Sequence, residues 1–222
     1  MLNLEGEKIG QINGLAAIDL GEFTFANPTK ITATTYAGRA GIVNIENEAE
    51  LSGEIHDKAV QIIIGYLGHN FAQEFPLSFS CRLCFEQNYS GIDGDSATAA
   101  EVLCIMSSLA KMPIKQSFAI TGSMNQFGEI QAVGSINAKI EGFFKLFKQR
   151  GLKNGGVVIP IQNIMDLNLS DEVVSAVENN SFEIYAIESL KEAAQLMLGD
   201  YDKLERQVLE KLKELHELSS DE

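Results

Sequence analysis

The stretch Gly91-Ile92-Asp93-Gly94-Asp95-Ser96-Ala97 constrains this chain more than any other. It joins Pro76 to Tyr89, rich in Phe, Leu and Cys and read as a strand, to Ala97 to Leu109, a breaker-free run read as a helix. Two glycines and two aspartates therefore sit at a strand-to-helix turn. Glycine reaches backbone conformations closed to other residues and lets a second chain approach closely. A serine at a helix start lies beside unpaired N–H groups and the positive end of the helix dipole. Such a place suits a nucleophile and the oxyanion that it generates. It equally suits a plain helix cap from Asp95 or Ser96. The stretch by itself leaves both open.

Charge narrows the partners. The chain of 222 residues carries 31 acidic against 17 basic side chains, a net charge of -14. That surface repels phosphate backbones and anionic lipid, so neither nucleic acid nor membrane is expected. The longest apolar run, Ala59 to Leu67, contains Gln61 and Gly65 and is too short to span a bilayer. No basic region followed by an apolar run opens the sequence, so a cytoplasmic location is expected. Cys81 and Cys84 have the C-x-x-C spacing, but no second pair or nearby histidine completes a zinc set. They lie inside the strand rather than at a helix start. With Cys104 they are expected to be reduced and structural.

In chain order, Ile9 to Leu20 reads as a strand ending at Gly21. Phe23, Phe25 and Ile31 to Tyr36 read as a second, with a turn at Asn27-Pro28 between its parts. Ile42 to Ile45 is a short strand and Glu46 to Glu50 an exposed acidic segment. Ile55, Ala59, Ile62, Ile63 and Tyr66 recur at helical spacing. Gln116 to Thr121 and Glu129 to Val133 read as a hairpin across Gly122 and Gly128. A helix over Ile136 to Gln149 follows, then a buried strand at Val157 to Ile159. Asp171 to Glu178, Phe182 to Ile187 and Leu190 to Leu198 read as helix, strand and helix. Strands and helices mix without strict alternation, which makes the fold class α+β. Tyr201 to Leu218 is an amphipathic helix with Leu204, Val208, Leu212 and Leu215 on one stripe.

Two residue types, histidine and lysine, invite catalytic readings. His56, His69 and His216 are the only histidines, and none has a serine and acid at a recognisable triad spacing. Lys139 is more informative. Ile136, Ile140, Phe143 and Phe147 form one helical stripe, with Lys139 at its edge and Lys145 opposite. A lysine held against apolar groups prefers to be neutral, and a neutral amine can take a proton from a serine hydroxyl. The alternative is that it snorkels to water.

Gly94-Asp95-Ser96-Ala97, Thr121-Gly122-Ser123, Gly128-Glu129-Ile130, Val133-Gly134 and Lys139-Ile140-Glu141-Gly142 together resemble the proteolytic domain of Lon proteases, nearest to LonB- and LonC-like members. Gly10 to Leu15, Gly41 to Glu46, Leu51-Ser52-Gly53 and Phe85-Glu86-Gln87 fit the same pattern, so the resemblance runs from Ile9 to Gly199. It implies a Lon-type α+β domain over 1–199, with mixed sheets and packed helices. A C-terminal helix and acidic tail then occupy 200–222. It also implies a Ser–Lys dyad with Ser96 as nucleophile and Lys139 as general base. Asp93 and Thr121 fall where the family places groups that hydrogen-bond the lysine. Many relatives have Gly and Glu just before that lysine, where this chain has Ser135 and Ala138. Backbone N–H groups around Gly94 to Ser96 are the candidate oxyanion hole.

The implied activity is a serine endopeptidase acting on unfolded or flexible polypeptides, needing no metal and assembled as a homo-hexamer. No G-x-x-x-x-G-K-[ST] phosphate loop occurs, so ATP enters only through an ATPase module elsewhere in a longer protein. Three alternatives remain: an ATP-independent peptidase, a small-amide hydrolase, and an inert binding or assembly module.

Overall fold

The computed structural model describes residues 2–19 and 24–220. Leu20, Gly21, Phe23 and the last two residues of the expected acidic tail lie outside them. In chain order, β1 (Glu7–Lys8), β2 (Gln11–Asp19), β3 (Thr24–Ala37) and β4 (Gly41–Asn44) lead to α1 (Ile45–Glu48) and α2 (Glu54–Phe71). Next come β5 (Phe79–Phe85), α3 (Thr98–Ala110), β6 (Ile114–Lys115), β7 (Phe118–Ile120), β8 (Ser123–Met124) and β9 (Ile130–Gln131). The chain closes with α4 (Ile136–Gln149), β10 (Gly156–Pro160), α5 (Asp171–Glu178), β11 (Glu183–Ile187), α6 (Leu190–Met197) and α7 (Tyr201–Ser220).

Seven strands form the main sheet in the order β11-β10-β7-β2-β3-β5-β4. Its pairs are antiparallel around β3 and parallel elsewhere, as in a mixed α+β domain. Side chains alternate across a pleat, and here the alternation separates two cores. Val157 and Ile159 of β10 pack with Ile136, Ile140, Phe143 and Phe147 of α4. Val158 between them packs with the core built on α3. Every residue of α3 is buried, which explains why its sequence is apolar almost all round. Leu204, Val208, Leu212 and Leu215 of α7 belong to the same core as α3.

Several local expectations change. The strand expected over Pro76 to Tyr89 is regular only across Phe79–Phe85. Pro28 does not break the second strand, because β3 runs straight through it and pairs Pro28 with Leu15. The β5 register ends at Ile31 opposite Phe85. Beyond that point β3 has no β5 neighbour, so the missing proline N–H leaves that side of the ladder intact. The hairpin forms between Ser123–Met124 and Ile130–Gln131. Phe118–Ile120 instead joins the main sheet between β2 and β10. Glu46 is buried rather than exposed, with Oε1 accepting the Phe85 N–H at 2.8 Å. On α2, Ile55 faces solvent and His56 takes the inward position.

α4 lies directly on β3. A Cβ at Gly142 would stand 2.2 Å from the Ala26 carbonyl oxygen, so only glycine permits this approach. The contact sets how deeply α4, and Lys139 with it, sits in the fold.

Candidate active site

Ser96 lies in the turn between β5 and α3, two residues ahead of the helix. Gly91 and Gly94 there have φ of 86° and 99°, in the left-handed region that favours glycine. The turn is stitched to the β7–β8 segment. The Ser96 carbonyl accepts from Gly122 N at 2.8 Å and from Thr121 Oγ1 at 3.1 Å. Ala99 N in turn donates to the Gly122 carbonyl at 3.1 Å.

Lys139 comes from the opposite side, one turn into α4. Its side chain is 2% exposed. Nζ donates to Thr121 Oγ1 at 3.1 Å, so one threonine hydroxyl touches both the lysine and the serine backbone. Burial pushes the Lys139 pKa down to about 8, against an upward pull from the Asp95 carboxylate. Ser96 and Lys139 line one cavity of about 280 Å³, with Leu15, Ile31 and Ile92 as apolar walls. A groove of about 760 Å³ also reaches Thr29 on this cavity's wall.

Asp93 lines the cavity as well, but its carboxylate is engaged elsewhere. Oδ1 accepts from Ile55 N at 3.1 Å and Gly94 N at 2.8 Å, capping α2 from outside that helix. The α2 N-cap position is Gly53, where a Cβ would stand 2.4 Å from the Asp93 carboxyl carbon. Gly94 N–H therefore already has an acceptor, which narrows the candidate oxyanion donors to Asp95 and Ser96. The sequence gives Asp95 no role beyond a possible cap. Its Oδ2 accepts from Ser123 Oγ at 2.8 Å while its charge acts on Lys139. Ser135 takes the left-handed N-cap position of α4 with φ 57° and also lines the cavity.

Among the described residues no cluster of three His, Cys, Asp or Glu side chains could hold a metal ion. Nor is any helix there long and apolar enough to cross a membrane. Cys81, Cys84 and Cys104 are free thiols, and burial pushes Cys81 and Cys84 up to about 12, away from reactive thiolate.

The family profile of the Lon protease (S16) C-terminal proteolytic domain matches residues 3–200. The chain belongs to this family. A Lon protease homolog of Escherichia coli (strain K12) is 43% identical over 202 residues, 90% of this chain and 34% of the relative. A Lon protease homolog of Haemophilus influenzae is 42% identical over 198 residues, 88% of this chain and 33% of the relative. An archaeal Lon protease of Thermococcus kodakarensis is 29% identical over 219 residues, 96% of this chain and 32% of the relative. This Lon domain thus spans about a third of the length of the curated relatives it matches.

The shared hydroxyl makes a direct prediction for this Lon domain. Thr121→Val removes both hydrogen bonds while keeping the shape, and lowers kcat for a peptide substrate by about ten- to a hundredfold. Thr121→Ser retains the hydroxyl and most of the rate. Equal rates in the valine and serine variants would show that the hydroxyl has no part in the chemistry.

Proposed function

We propose that this Lon domain is a serine endopeptidase in which Ser96 attacks the peptide carbonyl and Lys139 is the general base. The carrying observation is a buried lysine, shifted toward its neutral form, in the same cavity as a serine at a glycine-rich turn. Neutral Lys139 takes the hydroxyl proton as Ser96 Oγ bonds to the carbonyl carbon. The resulting oxyanion is held by the N–H groups of Asp95 and Ser96. As the C–N bond breaks, the lysine ammonium returns its proton to the leaving amine, and the acyl-enzyme forms. Water, deprotonated by the same amine, then releases the acid. This chemistry needs no metal and no cofactor.

The substrates are unfolded or flexible polypeptides, since the cavity takes a side chain or two and no phosphate loop is present to drive unfolding. In a longer Lon-like protease, ATP would act through a separate module, and the proteolytic domains would close into a homo-hexameric ring. The test is cleavage of a reduced, alkylated protein against its native folded form, with and without ATP and magnesium. The unfolded form is cut, the folded form is spared, nucleotide changes nothing, and Ser96→Ala cuts neither. An ATP-stimulated rate in the purified chain, or a preference for small amides over polypeptides, would overturn the reading.

A further inference from the structure

Among the described residues, His56 and Glu101 are the most deeply buried ionisable pair outside the proposed dyad. Both are 0% exposed, and His56 Nε2 stands 3.5 Å from Glu101 Oε1. Neither ring nitrogen nor either carboxyl oxygen has a hydrogen-bond partner of ordinary geometry. Buried polar atoms left in that condition call for a proton or a ligand between them. The pair lies behind the serine turn. Glu101 is on α3, just over one turn beyond Ser96. The His56 backbone N–H points at Asp93 Oδ1 at 3.4 Å, and the Gly94 carbonyl beside the ring favours its protonated form.

We propose that His56 and Glu101 share one proton and act as positioning residues for the turn that carries Ser96. The proposal rests on the serine-peptidase reading of that turn. In the neutral pair the Glu101 carboxyl O–H points at His56 Nε2, and His56 Nδ1–H points towards the Gly94 carbonyl. Moving the proton to the imidazole gives a cation and a carboxylate in contact, with the same total charge. Either form leaves the pair without net charge, so it bridges α2 and α3 behind the turn. Losing that proton leaves a lone buried carboxylate, and a second proton leaves a lone buried imidazolium. Both states are penalised by burial.

The surroundings decide which loss comes first. Glu46 on α1, Asp57 on α2 and Asp93 in the turn all press negative charge on the ring, and Phe85 of β5 packs edge-on to it at 5.2 Å. Burial foremost, with Glu46 second, raises Glu101 to about 8, while burial foremost lowers His56. The pair is therefore neutral around pH 7 and first loses a proton on the alkaline side. Deprotonation places a buried anion beneath the serine turn, which loosens Gly94 to Ser96.

The experiment combines kinetics with backbone amide spectra of the 222-residue chain. Peptide cleavage by wild type falls at high pH after its rise. Glu101→Gln keeps a donor to His56 but cannot ionise, so its rate rises and then holds. Glu101→Ala lowers kcat by about tenfold or more with KM within about twofold, and Glu101→Gln restores most of that loss. In a Ser96→Ala background, the amide shifts of Gly94, Asp95 and Ala97 titrate near pH 8, and the additional Glu101→Gln change removes part of that movement. Identical titrations and an unchanged alkaline limb in Glu101→Gln would overturn the pair. If wild type cleaves no peptide while Glu101→Gln still alters the amide titration, the pair stands and the peptidase reading falls.

Discussion

Lys139→Arg abolishes peptide cleavage although it keeps a positive charge in the same place. The loss is at least about 10⁴-fold in kcat, because a guanidinium stays protonated at every usable pH and cannot accept the Ser96 proton. Lys139→Gln and Ser96→Ala fall to the same residual level, and combining them adds nothing, since nucleophile and base act as one unit. The ascending limb of the rate passes through about 8, where burial has set the lysine, and it stands clear of the alkaline fall in Glu101→Gln. Asp95→Asn removes the neighbouring negative charge that opposes this depression, so the ascending limb moves to lower pH. The measurement is kcat/KM for a fluorogenic peptide from pH 6 to 10, with circular dichroism to confirm that each variant is folded. Wild-type turnover in Lys139→Arg would assign the proton to another group.

The same lysine makes the domain less stable than it could be. Lys139 titrates at 10.5 when unfolded and at about 8 when folded. Below pH 8 the folded state therefore carries the full penalty of a buried ammonium, about 3 kcal/mol from the shift. Between 8 and 10.5 the unfolded chain binds more protons than the folded one, so stability rises with pH across that window. Lys139→Met keeps the length and removes the charge. At pH 7 it melts roughly 5 °C higher than wild type, after allowing for the lost hydrogen bond to Thr121. By pH 10 most of the difference is gone. Thermal denaturation of both proteins at the two pH values checks this. A methionine variant less stable than wild type at pH 7 would mean that the ammonium is better accommodated than its burial implies.

The parts of this domain that could be read from the sequence were those governed by local rules. The α4 stripe of Ile136, Ile140, Phe143 and Phe147 is a period that any helix must bury; it places Lys139 at the stripe's edge, and the structure decides for burial over snorkelling. The glycines around Ser96 signalled a turn with positive φ, which Gly91 and Gly94 have. What escaped depended on distant partners. The family resemblance places Thr121 beside Lys139, but no local pattern shows how they meet: β7 leaves the expected hairpin for the main sheet and pairs there with β2 and β10. Asp93 and Asp95 flank one glycine and look alike in sequence. They part because α2 presents bare N–H groups to one, and Ser123 a hydroxyl to the other. Glu46 and Glu101 belong to residue types that mark surfaces, and here both are buried.

The parallel pairing of β7 with β10 carries a consequence for biosynthesis. Thr121 N–H is held by the Val158 carbonyl at 3.1 Å, and Thr121 in turn holds Lys139 and the Ser96 backbone. Synthesis delivers the serine and the lysine well before Val158. A nascent chain at that stage owns the proposed nucleophile and base, with β7 already beside β2 but its other edge unpaired and the Thr121 N–H without its acceptor. The strand at 156–160 completes the hold on Thr121 after every element of the serine turn has been made. For the polypeptide-cutting enzyme proposed above, this order leaves the site incomplete while its own unfolded chain is the nearest substrate.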